Sequence, residues 1–461
     1  MPIVDGHEQD GSPSWRCVPM PDAAGCSHAA TPSSDAQARA TNACAARSTR
    51  RSRSGVATGT AASVEAAPFM RSAIVYRPTP AESGPPRCVG RASTEPNGGA
   101  PLVACAEMEQ WIDGHLDLAY IHQGLGDIRL PPATTENRCI SLPSLQEGSF
   151  GIVAATIFIE PGVDAAAQPW GYGGPDDLAG AQRAAFAQLA IYESLEREGL
   201  LRIIRSAADL HAGGPLGIVL LMEGADAIAD AADAARWHSR GIRMCGLTWA
   251  KGTRHAGGNA KGAGLTASGR ELVTAFDALG ILHDASHLSD VAFDDLLTLT
   301  TRKVVASHSN ARALLGGGQR HITDAQIREI ARRGGVIGLN LYGTFLASGR
   351  AATIDDALAH IDHVATTAGT RAVCALGSDF DGGFAPMDVP EGLRSPQQVH
   401  ALLPRLRARN WSDRECLGFI GRNWLRVLEE SLRVGEPRTS DRAAPTAAPD
   451  FSAAQPRSAR C

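Results

Sequence analysis

Eight short apolar runs, separated by stretches of helical periodicity, constrain this chain more than any other feature of its sequence. The runs are Trp111–Leu118, Ile152–Ile159, Gly217–Met222, Met244–Thr248, Gly280–Asp284, Lys303–Ser307, Gly335–Leu341 and Ala372–Ser378. Near-continuous apolar strands alternating with helices are the pattern of βαβ units, whose helices cover both faces of a parallel sheet. Eight parallel strands close naturally, so the expected fold is α/β, a (β/α)8 TIM barrel. Helix starts support this spacing. Thr323-x-x-Gln326 and Ser412-x-x-Glu415 are capping boxes, and Ile327, Ile330 and Ala331 form an apolar stripe after the first of them. A doubly wound open sheet is the alternative. The glycine-rich stretch Gly257–Gly264 follows no GxGxxG pattern at a strand-to-helix turn, so nucleotide binding gains no support.

The barrel is expected to occupy residues 107–434 of the 461. Residues 1–106 are rich in Ala, Ser, Thr, Pro, Gly and Arg without periodicity, and residues 435–461 share that character. Such segments bury too little apolar surface to offset their ordering entropy, so both are expected to be disordered. The formal net charge of -5 comes with no basic cluster of the kind that binds phosphates, so neither a nucleic acid nor a membrane is an expected partner. Of the ten cysteines, five lie in the amino-terminal extension, and Cys245 and Cys374 sit inside apolar runs. With no CxxC pair and no apolar core of a secretory signal, a reducing cytoplasm is the expected compartment.

Polar residues gather at the carboxyl ends of the runs, where barrel enzymes build their sites. The first run ends in Asp113-Gly-His115-Leu-Asp117, and alternation along a strand lets His115 and Asp117 face one side. Taken alone, an HxD is better explained by a capped or salt-bridged turn. The third run closes on Glu223, a carboxylate costly to bury unpaired, for which an arginine partner is the bland alternative. The fifth and sixth end in Asp284-Ala-Ser-His287 and Ala306-Ser-His308-Ser309, which places two histidines at one level on adjacent strands. The eighth ends in Gly377-Ser-Asp379-Phe-Asp381-Gly-Gly. Imidazoles and carboxylates without thiolates suit zinc, and manganese or iron less well. One carboxylate can bridge two ions, leaving a His-Asp pair for one and a His-His pair for the other. Two close ions acidify a bridging water and polarise a carbonyl, an arrangement for amide hydrolysis. Asp379, if not a ligand, would move the proton to the leaving amine.

Together, DGHLD, the strand ending in EG, DASH, ASHSN, GSDFDGG and the closing RNWLRVL resemble peptidase family M19, the membrane (renal) dipeptidases, over roughly Met108 to Val434. The resemblance implies a metallo-dependent hydrolase barrel, commonly a homodimer, that cleaves dipeptides, some members accepting a D-residue at the carboxyl-terminal position. It implies two zinc ions, one on His115 and Asp117, one on His287 and His308, with Glu223 bridging. It gives Asp379 the catalytic proton and Arg320 the substrate carboxylate. One departure stands out. The family's dipeptidases carry a substrate-contacting histidine in a segment reading LTH, where this chain reads Leu247-Thr248-Trp249. Tryptophan cannot take a proton there, although its N–H can donate. His255 could reach the same place from the following loop, with a solvent-exposed role as the plainer expectation.

Two other functions are open to such a chain. One is a different binuclear amidohydrolase, acting on a cyclic amide, a lactone or an N-acyl amino acid. Its usual carboxylated lysine has only Lys251 as a candidate. The other is a non-catalytic barrel that binds without chemistry.

Overall fold

In the computed structural model, eight parallel strands run in the order foreseen: β1 Trp111–Leu116, β2 Phe150–Phe158, β3 Leu216–Glu223, β4 Ile242–Gly246, β5 Leu282–Asp284, β6 Val304–Val305, β7 Ile337–Leu339 and β8 Cys374–Leu376. The structure describes residues 110–434 apart from 133 and 135, so the extension expected over 1–106 and the tail expected over 435–461 lie outside the described residues. Hydrogen-bonded neighbours follow the path β7-β8-β1-β2-β3-β4-β5-β6. A bridge between Ala306 and Ile337, with Gly338 N donating to Ala306 O at 2.8 Å, joins β6 to β7 and closes the barrel. The capping boxes at Thr323 and Ser412 form as expected, each with reciprocal bonds. Ile327 and Ile330 are buried against the barrel.

Two apolar layers result. Inside the barrel, Ile112, Ile152, Ala154, Val219, Leu221, Met244, Leu282, Val305, Val336 and Ala375 meet Trp424, Val427, Leu428 and Leu432 of the last helix. Those four recur at helical spacing, so one face of Asn423–Leu432 packs against the barrel interior. A second, larger cluster lies between the strands and the outer helices. Several strands are shorter than the runs that mark them, because the chain bends where it reaches the site. The first ends at Leu116, and Asp117 becomes the N-cap residue of helix Leu118–Gly124 without a side-chain capping bond. Three short strands were not foreseen: Glu160–Pro161 and Gly171–Tyr172, which pair with each other, and Leu201–Ile203, which pairs in parallel with the start of β3, ahead of the segment that pairs with β4. Among the described residues, no helix is long and apolar enough to cross a membrane.

Candidate metal centre

The strand ends bring His115, Asp117, Glu223, His287, His308 and Asp379 into one buried cluster, each at most 8% exposed. Glu223 lies at its middle. Oε1 faces His287 Nε2 at 3.1 Å and His308 Nε2 at 3.6 Å, and Oε2 faces His115 Nε2 at 3.5 Å. His115 Nε2 also stands 3.7 Å from Asp117 Oδ1 and 3.9 Å from Asp379 Oδ1. The Nε2 atoms of His287 and His308 are 3.0 Å apart. An ion bonded at about 2.0–2.2 Å to a tetrahedral set of nitrogens and oxygens holds them roughly 3.3 Å from one another. Both halves of the cluster match that spacing.

The groups behind the rings decide which nitrogens face inward. Ser307 Oγ bonds to Asp284 Oδ2 and lies 2.7 Å from His308 Nδ1 and 3.3 Å from His115 Nδ1. His287 Nδ1 lies 3.2 Å from Asn259 Oδ1. With an ion at the centre, each ring would give its Nδ1–H to the outer acceptor and turn an Nε2 lone pair inward, as metal-binding imidazoles do. Thr156 Oγ1 donates to Asp117 Oδ1, and Asn340 Nδ2 donates to Asp379 Oδ2 at 2.8 Å. His287 and Asp379 hold left-handed backbone angles, φ 67° and φ 61°. Such angles cost a non-glycine residue roughly 1–3 kcal/mol and persist where surrounding contacts impose them.

Burial and mutual charge perturb every group. Burial opposes a charged His115, yet Glu223, Asp117 and Asp379 outweigh it and lift its pKa to about 10. Burial, reinforced by the nearby Arg320 charge, pushes His287 down to about 4. Burial raises Asp117 to about 6 and Asp379 to about 8, with Glu223 adding to both. Glu223 stays below the usual carboxylate range in spite of burial, because His115 and His287 face it. Three carboxylates confined together require positive charge, which divalent cations supply most directly.

Residues 103–441 match the membrane dipeptidase family, peptidase family M19. The chain belongs to that family. As a member it is a metallo-dipeptidase of the barrel kind. It is similar to an uncharacterised Klebsiella pneumoniae protein from the region 5′ of pqqA, with 34% identity over 273 residues, 56% of this chain and 97% of that protein. The crystal structure of the dipeptidase AC, a metallopeptidase of family M19, superposes with a TM-score of 0.62 at 30% identity, covering 71% of this chain and 99% of the other. A metallopeptidase from Rhodobacter sphaeroides, liganded with a phosphinate mimic of the dipeptide L-Ala-D-Ala, gives 0.61 at 29%, covering 70% and 99%. The chain spans about half the length (49%) of dipeptidase 3 from Macaca fascicularis, which it also matches.

Around this cluster, the other expected residues take distinct places. Trp249 stands beside His287 with ring centres 6.1 Å apart, its edge contact with Phe158 at 5.3 Å. Arg320 is buried over the Phe345 ring and donates from Nη1 to Ser309 Oγ and from Nη2 to His308 O. Its Nε is buried with no hydrogen-bond partner among the described residues. His255 corrects the reading of the sequence. It is neither exposed nor in the cluster, but 0% exposed with Nδ1 near Ser268 Oγ and Nε2 near Ile228 O, both nitrogens committed to structure. Lys251 likewise misses the cluster and pairs with Glu160 at 2.8 Å. Of the acidic pair, Asp379 faces the cluster, whereas Asp381 accepts from Cys139 N and Ile140 N. Ser307, Asn259, Thr156 and Asn340 were missed. A serine inside ASHSN was in view, but nothing in sequence spacing says that its hydroxyl meets a ring 192 positions earlier.

Proposed function

We propose that the protein hydrolyses the peptide bond of dipeptides at a centre for two zinc ions. The division of the Glu223 carboxylate carries this reading: one oxygen serves the His287–His308 pair and the other serves His115 beside Asp117. A single carboxylate shared in this way fits two adjacent ions better than one. Zinc bound there would supply a Lewis acid for the peptide carbonyl and acidify a water molecule at neutral pH. Asp379 offers Oδ1 to that water's proton and returns it to the leaving amine. Arg320 keeps Nε and further N–H groups for the free carboxylate of the substrate. The Trp249 indole lines the His287 side and can donate one hydrogen bond.

Acceptance of a D-residue at the carboxyl-terminal position is part of the proposal, supported by the L-Ala-D-Ala mimic held by the Rhodobacter sphaeroides relative. Four buried free thiols, Cys139, Cys245, Cys374 and Cys416, support a reducing, cytoplasmic compartment. The test is elemental analysis of protein purified without chelator, together with an assay against L-L and L-D dipeptides. Close to two zinc ions per chain and hydrolysis of dipeptides are expected. Retained activity with one ion or fewer would overturn the binuclear centre. Cleavage of cyclic amides, lactones or N-acyl amino acids, with dipeptides untouched, would overturn the substrate.

A further inference from the structure

Asp284 and Ser307 form a clamp between β5 and the end of β6. Asp284 Oδ1 accepts from Ser286 N at 3.0 Å and from Ser307 N at 2.8 Å, and Oδ2 accepts from Ser307 Oγ. A serine hydroxyl carries one hydrogen. With that hydrogen given to Asp284, Ser307 Oγ can only accept, and its neighbours are the two imidazoles and, at 3.3 Å, Ser286 Oγ. His308 Nδ1 at 2.7 Å and His115 Nδ1 at 3.3 Å meet that acceptor as N–H donors. These rings belong to opposite sides of Glu223, one with His287 and one with Asp117.

Glycines bring Ser307 to this shared position. A Cβ at Gly377 would lie 1.8 Å from the Ser307 carbonyl oxygen, one at Gly338 1.9 Å and one at Gly114 2.9 Å. Gly377 and Gly338 thus leave room for the Ser307 backbone, and Gly114 for both Ser307 and the Trp424 ring, 2.2 Å from its would-be Cβ. A second clamp supplies an internal comparison. Asp113 accepts from His115 N, Ser378 N and Ser378 Oγ between β1 and β8. Ser378 Oγ bonds to Asp113 and Phe380 N, and to no imidazole among the described residues.

We infer that Ser307 is a positioning residue common to both halves of the centre: one hydroxyl, oriented by Asp284, sets the Nδ1–H tautomer of His115 and of His308. The two ion sites are thereby tied to a single side chain. The inference takes its ions from the function proposed above, but its decisive readout does not depend on substrate. In metal-loaded protein with 15N-labelled histidine, the Nδ1–H signals of His115 and His308 should both move in Ser307→Ala. Affinity for both ions, measured by chelator competition, should fall roughly 10- to 100-fold. Asp284→Asn, which touches neither ring and keeps the carboxylate's shape, should produce the same pair of effects. Ser378→Ala removes the sister clamp and should lower the melting temperature while leaving both signals in place. Loss of affinity at one ion only, or unmoved signals in Ser307→Ala, would overturn the inference. If the protein held no zinc, the dipeptidase reading would fall by itself. The His308 Nδ1–H signal of ion-free protein would still decide the role of Ser307, by moving or staying in Ser307→Ala.

Discussion

Asn340 donates from Nδ2 to Oδ2 of Asp379 across 2.8 Å, and that bond leaves Oδ1 as the oxygen turned to His115. An asparagine at 379 would give its carbonyl oxygen to Asn340 and present an amide N–H₂ to the centre, unable to take a proton. Asp379→Asn should therefore lower kcat by about 10²–10⁴ with zinc content unchanged. Single-turnover kinetics and elemental analysis check it. Loss of an ion along with turnover would make Asp379 a ligand.

Arg320 is held by Ser309 and His308 O yet keeps buried donors free for a carboxylate. Arg320→Ala should cut kcat/KM for free dipeptides several tens-fold, roughly 2–3 kcal/mol, and spare dipeptide amides, which lack the charge. Equal losses for acids and amides would show that the guanidinium reads something else.

His360 accepts from Ala311 N through Nδ1, and its Nε2 lies 3.2 Å from Leu346 O, with 1% of its surface exposed. Burial pushes its pKa from 6.5 down to about 4. The unfolded chain therefore binds a proton that the folded chain refuses between those values. The resulting stability is complete above pH 6.5 and drains away as pH falls towards 4. Between pH 7 and pH 5 this one ring should cost about 2 kcal/mol of unfolding free energy. Denaturant titrations at the two pH values should show a flatter dependence in His360→Gln, and an unchanged slope would remove His360 from the account.

Gly377 and Gly338 lie against the Ser307 carbonyl, where a methyl group has no room. Since the contact is with backbone, relief requires a strand to shift. Gly377→Ala and Gly338→Ala should each lose about 2–3 kcal/mol or more. Thermal melting that matches the parent protein would mean that the interior can yield where the geometry says it cannot.

Much of this was legible before any fold was at hand. Eight apolar runs alternating with helical patterns indicate a parallel sheet covered by helices, because strands buried on both faces need apolar side chains throughout, and their number points to a barrel over a doubly wound sheet. The capping boxes at Thr323 and Ser412 read directly, since a cap is satisfied within four residues. The residues that could hold metal were also visible, as imidazoles and carboxylates closing apolar strands. What those side chains do was decided by tertiary structure. Asp117 faces the cluster from a helix cap, not from a continuing strand, and left-handed backbone angles turn His287 and Asp379 to their places. Asp381, two residues from Asp379, points to Cys139 and Ile140 instead. His255 closes both nitrogens on structural partners. The splitting of Glu223 and the sharing of Ser307 depend on atoms brought together from strands on different sides of the barrel, within a few tenths of an ångström. Periodicity and local propensity report which face a residue occupies. They carry no information on which hydroxyl will meet which ring nitrogen once the barrel closes.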